Sequence, residues 1–291
     1  MVGIPQSANA DRVDAVIVDF HSGRDLVTCV EGLLDDGCGV TVVDNAPEGT
    51  SRSELGSLVD RVQLLEVGTN LGFGAGVNRG AAMSSAEFLL ICNPDLVVHA
   101  EAVDLLVSAL DVHEQWGIAA PMILDPSGET YPSARRFPNM IIAAGHALLA
   151  PIWPSNGFTK RYQSAWSKDE QWGVDWVSGA CFLIRRSVFE TLGGFDEAFF
   201  MFAEDLDLCR RAHDLGIGVG FVDRATVTHI EGLSRKRQPY RMLLAHHRSA
   251  FRYQAKHSSG VKVLLLPFAA VVLLLRLGVT ASEERFARRT S

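Results

Sequence analysis

The 291-residue chain lacks several patterns that would declare a cofactor or a covalent staple. Its five cysteines (Cys29, Cys38, Cys92, Cys181, Cys209) are an odd number, lie far apart and form no CxxC pair. Neither a zinc finger nor a disulfide framework is indicated. No Gly-Lys dipeptide occurs, and no frame of the glycine-rich segment 72–80 reads G-x-G-x-x-G, so a P-loop and a dinucleotide fingerprint are both excluded. The first fifteen residues are polar with no apolar core, so no secretory leader is expected and a reducing, cytosolic compartment is. The most apolar stretch, 263–275, holds thirteen uncharged residues interrupted by Pro267. A bilayer span needs roughly 20. That stretch fits an interfacial segment or a buried core helix.

What is present is an ordinary globular composition, 47% hydrophobic and 21% charged, which excludes a disordered or fibrous protein. The net charge of −7 is unevenly spread. Residues 229–291 hold 12 Lys and Arg against 3 Asp and Glu, so the remainder is strongly acidic. A basic end on an acidic body points to an anionic surface, phospholipid or nucleic acid. The arginines of 240–256 abut the apolar run, which fits lipid better than a duplex, so no nucleic-acid partner is expected.

Residues 13–20 (VDAVIVDF) form a continuous apolar run, the pattern of a strand buried on both faces. Leu26, Val30, Leu33 and Leu34 then follow at helical spacing. Strands are expected again at 40–44, 62–67, 87–92 and 117–123, with helices at 76–84 and 100–114. Strand and helix alternating at this spacing predict βαβ units and an open, largely parallel sheet. Residues 124–172 read as loops with a short hairpin. Regular structure is expected to resume with a strand at 176–185, a helical turn at 187–192, a helix at 203–215 capped by Gly216, and a helix at 240–256 with Arg241, Arg248 and Arg252 on one face.

In such sheets ligands bind at the carboxyl ends of the strands. Asp44 ends the second expected strand, where it can accept hydrogen bonds from a nucleotide or close an Asx turn. Residues 70–80 (NLGFGAGVNRG) follow the third and feed a helix N-terminus, a place for backbone N–H groups to meet a diphosphate. Asp95 follows the fourth, as a ligand for Mg²⁺ or Mn²⁺ completed by phosphates and water, or as part of a capped turn. Glu204, Asp205 and Asp207 open a helix whose dipole favours their anions. They are a weak base for a late proton transfer or an ordinary acidic first turn. His229 closes a further strand as a neutral metal ligand or a structural histidine.

The ordered set VIVDFHSG, VVDNAP, NLGFGAGVNRG, NPDLVV, WVSGACFLIRRSVFETLGGFDEAFFMFAEDLDLCRRAHDLG and VTHIEG, over residues 13–232, resembles the family 2 glycosyltransferases of the GT-A fold, in particular their bacterial rhamnosyltransferase-like branch. The resemblance implies an α/β fold with a Rossmann-like, mixed, mostly parallel sheet flanked by helices, and a C-terminal helical membrane-associating segment. It implies a flexible tail at 1–12, a glycosyltransferase domain at 13–232 with a nucleotide-sugar half (13–123) and an acceptor and catalytic half (124–232), and a basic, apolar segment at 233–291.

By the same resemblance Asp44 contacts the base or ribose, Asn70, Gly72 and Asn78 belong to the nucleotide loop, and Asp95 is the last carboxylate of the metal–diphosphate element. Asn93 stands where that element begins with an acid, and Asp19-Phe20-His21 where the branch shows a Tyr-Asn pair. Asp205 matches the catalytic base, Glu204 lies beside it in the acceptor site, and His229 completes the metal or diphosphate site. The implied reaction is a single inverting displacement. The donor is a nucleotide sugar, dTDP-L-rhamnose ahead of UDP- or GDP-sugars, and the cofactor a divalent metal. The acceptor is a glycan or polyprenyl-diphosphate-linked sugar, met by an enzyme peripheral on the cytoplasmic face of the membrane. A homo-oligomer stays open. Two other readings stand beside this one. A nucleotidyltransferase of similar fold would want a basic glycine-rich signature after the first strand, of which Ser22-Gly23-Arg24-Asp25 offers little. A non-catalytic sugar-binding protein would not need Glu204-Asp205.

Overall fold

The computed structural model describes residues 11–138, 140–150, 152–163, 173–230 and 239–290. Most of the expected N-terminal tail, part of the loop region before residue 173, and Glu231-Gly232 lie outside the described residues. The strands are β1 (Val13–Asp19), β2 (Gly39–Asp44), β3 (Gln63–Glu66), β4 (Phe88–Cys92), β5 (Leu96–Val98), β6 (Trp116–Leu124), β7 (Thr130–Tyr131), β8 (Ala134–Arg135), β9 (Trp176–Val177), β10 (Cys181–Arg185) and β11 (Gly218–His229). The helices are α1 (Arg24–Asp35), α2 (Ser51–Leu55), α3 (Phe73–Ala81), α4 (Ala102–Val112), α5 (Met140–Leu149), α6 (Gly157–Gln163), α7 (Arg186–Thr191), α8 (Glu204–Asp214), α9 (Pro239–His257) and α10 (Leu266–Thr290).

One sheet runs β3-β2-β1-β4-β10-β6-β11-β5, with β7 beside β6. β1, β2, β3, β4, β6 and β11 point one way; β10, inserted between β4 and β6, opposes them, as do β5 and β7. The sheet is therefore mixed and mostly parallel. Every residue of β1 and of β4 is buried, as their unbroken apolar sequence requires of strands covered on both faces. One face takes α1 through Leu26, Cys29, Val30 and Leu33 and α4 through Val103, Leu106 and Leu110. Each such side chain contributes roughly 1.5–3 kcal/mol by leaving water. The other face takes α3, α7 and α8.

Two expectations are corrected. Residues 140–149 and 157–163 are helical rather than loop. Met140–Leu149 (MIIAAGHALL) carries apolar residues all round, so it shows no amphipathic period to find. The single strand expected at 176–185 is two strands, β9 and β10, separated by the turn 178–180. That turn matters for the site. Gly216 does end α8, with φ +75° and its N–H donating to His213 O.

All five cysteines are buried and free. The 263–275 run is not a core helix. Val263, Leu264, Phe268, Val271, Leu274 and Leu275 are exposed, while Val272 is buried. Among the described residues no helix is long and apolar enough to cross a membrane.

Candidate active site

The carboxyl ends of β1, β2 and β3 stand in register, Asp19 beside Asp44 beside Glu66. Asp44 is fully buried; its Oδ1 accepts from Ala46 N–H (2.9 Å) and its Oδ2 from Ser51 N–H (2.7 Å). It closes an Asx turn and ties down the start of α2. Asp19, equally buried, accepts from Ser22 N–H (3.1 Å) and Ser51 Oγ (2.7 Å). These carboxylates brace the loops around the crevice.

The neighbouring Asn45 reaches the glycine-rich loop. Its Nδ2 donates to Gly72 O (3.0 Å) and Asn70 Oδ1 (3.3 Å), and its Oδ1 accepts from Leu71 N–H (3.1 Å). Asn70 Oδ1 also accepts from Gly72 N–H (3.0 Å). Gly72 has φ +88°, and a Cβ there would strike the Phe200 carbonyl. Phe73 N–H donates to that same carbonyl (3.0 Å). The later glycines serve close packing, Gly76 against Val18 and Gly80 against Val16 of β1. Asn78 pairs with the backbone of Phe195, donating to its O (2.9 Å) and accepting from its N–H (2.8 Å). The loop after β3 is thus bolted to residues 194–200.

The catalytic candidates open α8. Asp205 Oδ2 accepts from Gly179 N–H (2.7 Å) and its Oδ1 from Leu206 N–H (2.7 Å). Glu204 is buried and its Oε2 has no hydrogen-bond partner. Burial raises the Glu204 carboxyl well above the usual carboxylate range, and the adjacent Asp205 raises it further. Burial also raises Asp205, while the two N–H donors and Arg135 pull it back. Of the two, Glu204 is pushed up further, while the N–H donors at Asp205 favour its charged form. At Glu204 desolvation opposes the helix end, which favours the anion. Asp207 has another task. It is fully buried against Arg211 (2.8 Å), Lys256 (2.8 Å) and His257 (2.8 Å). Directly before α8, Phe202 and Ala203 both have positive φ, +68° and +63°, a strain of about 1 kcal/mol or more for each residue.

Asp95 and His229 come together, one just past β4 and the other at the end of β11. Asp95 Oδ1 lies 3.0 Å from His229 Nε2, and Asn93 Nδ2 lies 3.3 Å from the same nitrogen. A carboxylate oxygen and an imidazole nitrogen at this distance are held together by a shared proton or cation. They fit as two ligands of a divalent ion whose remaining positions go to phosphate and water. Among the described residues no group of three or more His, Cys, Asp or Glu converges for a metal, so those outside ligands are required.

A short chain of bonds joins this pair to Asp205. Asn93 N–H donates to Ala180 O (2.9 Å), one residue from the Gly179 N–H that holds Asp205. Sequence reasoning missed Gly179, Asn45 and Ser51 as site residues. Asn45 carried a signal, a polar side chain at a strand end; Gly179 carried none, since its partner lies 26 positions away.

This geometry agrees with the comparisons. The sequence model described as "Glycosyltransferase like family 2" matches residues 11–248. The N-acetylglucosaminyl-diphospho-decaprenol L-rhamnosyltransferase of Mycobacterium tuberculosis (strain ATCC 25618 / H37Rv) is 36% identical over 265 residues, 86% of this chain and 86% of that protein. The dTDP-rhamnosyl transferase RfbF of Shigella flexneri is 27% identical over 225 residues, 76% of this chain and 70% of that protein. Among solved structures, the mannosyltransferase PcManGT from Pyrobaculum calidifontis, in complex with GDP-Man and Mn²⁺, aligns with TM-score 0.56 at 15% identity, over 93% of this chain and 75% of that one. The chain belongs to glycosyltransferase family 2 and is a glycosyltransferase of the GT-A fold.

Proposed function

We propose that the enzyme transfers L-rhamnose from dTDP-L-rhamnose, with inversion, to a hydroxyl of a polyprenyl-diphosphate-linked sugar in cell-envelope glycan synthesis. The observation that carries the chemistry is the Asp205 carboxylate. It is held by two N–H groups at the head of α8 and joined through Ala180 and Asn93 to the Asp95–His229 pair. The choice of sugar rests on the two rhamnosyl relatives.

In this reading Asp205 takes the proton of the acceptor hydroxyl as it attacks the anomeric carbon, and the nucleoside diphosphate leaves. Neutral Glu204 lies beside it as a hydrogen-bond donor that adds no negative charge. Residues 13–123 receive the nucleotide sugar and 124–232 the acceptor. The loop 70–72, fixed by Asn45, leads the chain into the N-terminus of α3, whose dipole favours the diphosphate, and Asn78 and Asp44 position the segments around it. Asp95 and His229 would hold the Mg²⁺ or Mn²⁺. When bound, that ion offsets charge on the diphosphate.

The membrane face of the reading rests on exposed apolar residues beside exposed cations. Val261, Leu264, Phe268 and Leu274 lie on and before α10, and Arg241, Arg248 and Arg252 on α9. Ile152 and Trp153 before α6 are exposed too. Such a surface suits peripheral binding to an anionic bilayer from the cytoplasmic side.

The test is nucleoside diphosphate release from dTDP-, UDP- and GDP-sugars, with Mg²⁺, Mn²⁺ or EDTA and bacterial membrane extract as acceptor source. Release from dTDP-L-rhamnose that EDTA abolishes, and that Asp205→Asn lowers by about 10²–10⁴-fold, is the expected result. Equal release by both proteins removes Asp205 as base. Nucleotide binding without release from any donor returns the molecule to a sugar-binding role.

A further inference from the structure

We propose that α9 is a clamp on residues 199–203, the segment that presents the catalytic pair, and that Ser249 is its positioning residue. This rests on Asp205 being the base, and it gives the C-terminal helix a part in the chemistry separate from any membrane contact.

The segment is strained and needs support. Phe202 and Ala203 both occupy the left-handed region, which side chains of L-residues disfavour. Such a conformation persists only where the surroundings enforce it. On one side the donor loop holds it, Phe73 N–H to Phe200 O (3.0 Å). On the other side α9 meets it along the stretch from His246 to Lys256. Buried Ser249 donates through Oγ to Met201 O (2.8 Å), the carbonyl just before the strained pair. The His246 ring stands edge-on to Phe202, with centroids 5.4 Å apart. Phe199, fully buried, packs with Leu206 and Tyr253. The charged heads of Arg252 and Lys256 lie 5.9 and 5.8 Å from its ring centre.

The end of α9 then grips α8 itself. Lys256 Nζ and His257 Nε2 both lie 2.8 Å from Asp207 Oδ1, two residues past the base. Lys256 also pairs with Asp196 (2.6 Å) at the start of the 196–203 loop. A helix that served only as a tether would need apolar packing alone. This one places a buried hydroxyl, a lysine and a histidine on the backbone and the helix that aim Asp205.

The experiment uses the full chain in detergent, with dTDP-L-rhamnose and a short-chain prenyl-diphosphate sugar as acceptor, so that no bilayer is present. Ser249→Ala is expected to lower kcat about tenfold while donor KM stays within about twofold, the effect of one lost hydrogen bond on alignment. Ser249→Thr, which keeps the hydroxyl, is expected to restore kcat. In the Ala variant, hydrogen exchange should quicken at Phe73 and at Asp207, whose N–H donates to Ala203 O. An unchanged kcat, or exchange unchanged at both amides, overturns the clamp. So does a loss seen only on vesicles, which would make α9 a tether. Should Ser249→Ala not fold, Lys256→Met carries the same two readouts. If the wild type releases no diphosphate from any donor, the reaction assignment fails, and the exchange arm alone still decides the clamp.

Discussion

Glu204 and Asp205 are adjacent in sequence and differ in what faces them. Asp205 accepts two backbone N–H groups, whereas Glu204 Oε2 meets none. A carboxyl whose pKa is raised on folding keeps its proton in the native state over a pH window in which the unfolded chain has lost it. Stability therefore falls as pH rises through that window. Glu204→Gln removes this loss. Melting curves of the two proteins should coincide near about pH 4, and the variant should melt higher at about pH 8. A difference between the two midpoints that does not widen over this range would mean Glu204 is ionised in the fold. At the other pole of the site, if Asp95 and His229 hold the metal as proposed, His229→Ala leaves Asp95 as the lone protein ligand. The Mn²⁺ concentration for half-maximal rate should rise about 10–100-fold with the melting temperature little changed. An unaltered metal requirement would return His229 to a structural role.

Among the elements, the loop before α3 and the segment leading into α8 act as one piece because Phe200 O receives Phe73 N–H over the face of Gly72. Gly72→Ala must both abandon φ +88° and push the Phe200 backbone away. A loss of at least about 2 kcal/mol is expected, read as a fall in Tm of about 5 °C, with activity falling further than stability. A neutral substitution would show that the loop and residues 199–203 move independently. The βαβ rhythm that carries this arrangement was legible in the sequence, since doubly buried strands such as 88–92 must be apolar throughout. Asp95 and His229 were legible as strand-end residues, and the structure pairs them. The helices at 140–149 and 157–163 were not, because the first is almost wholly apolar and the second, GFTKRYQ, is too short to show a period. The roles of Asn78 and Asp44 as braces, and the Gly179 hydrogen bond, depend on which loops meet across the crevice. No local pattern encodes that.

At the scale of the whole molecule, charge and apolar exposure coincide. The acidic body ends in a stretch with 12 basic and 3 acidic residues. That stretch also bears Leu264 at 77% and Leu274 at 66% exposure. Each Lys or Arg near an anionic bilayer contributes about 1 kcal/mol, screened within a Debye length. Apolar side chains entering the interface add roughly 25 cal/mol per Å² whatever the salt. The two contributions therefore separate by ionic strength. The full chain should float with vesicles containing anionic lipid, less so with neutral ones, and flotation should weaken without vanishing as salt is raised. Removal of residues 258–291 takes away the apolar portion but keeps α9 and its grip on α8. The truncated protein should lose flotation in high salt while retaining transfer to a short-chain acceptor in detergent. Undiminished flotation would assign the membrane contact to another surface, with exposed Ile152 and Trp153 before α6 the next to test. Loss of transfer in detergent would mean that α10, which packs against α5 and α9, supports the site as well as the membrane contact.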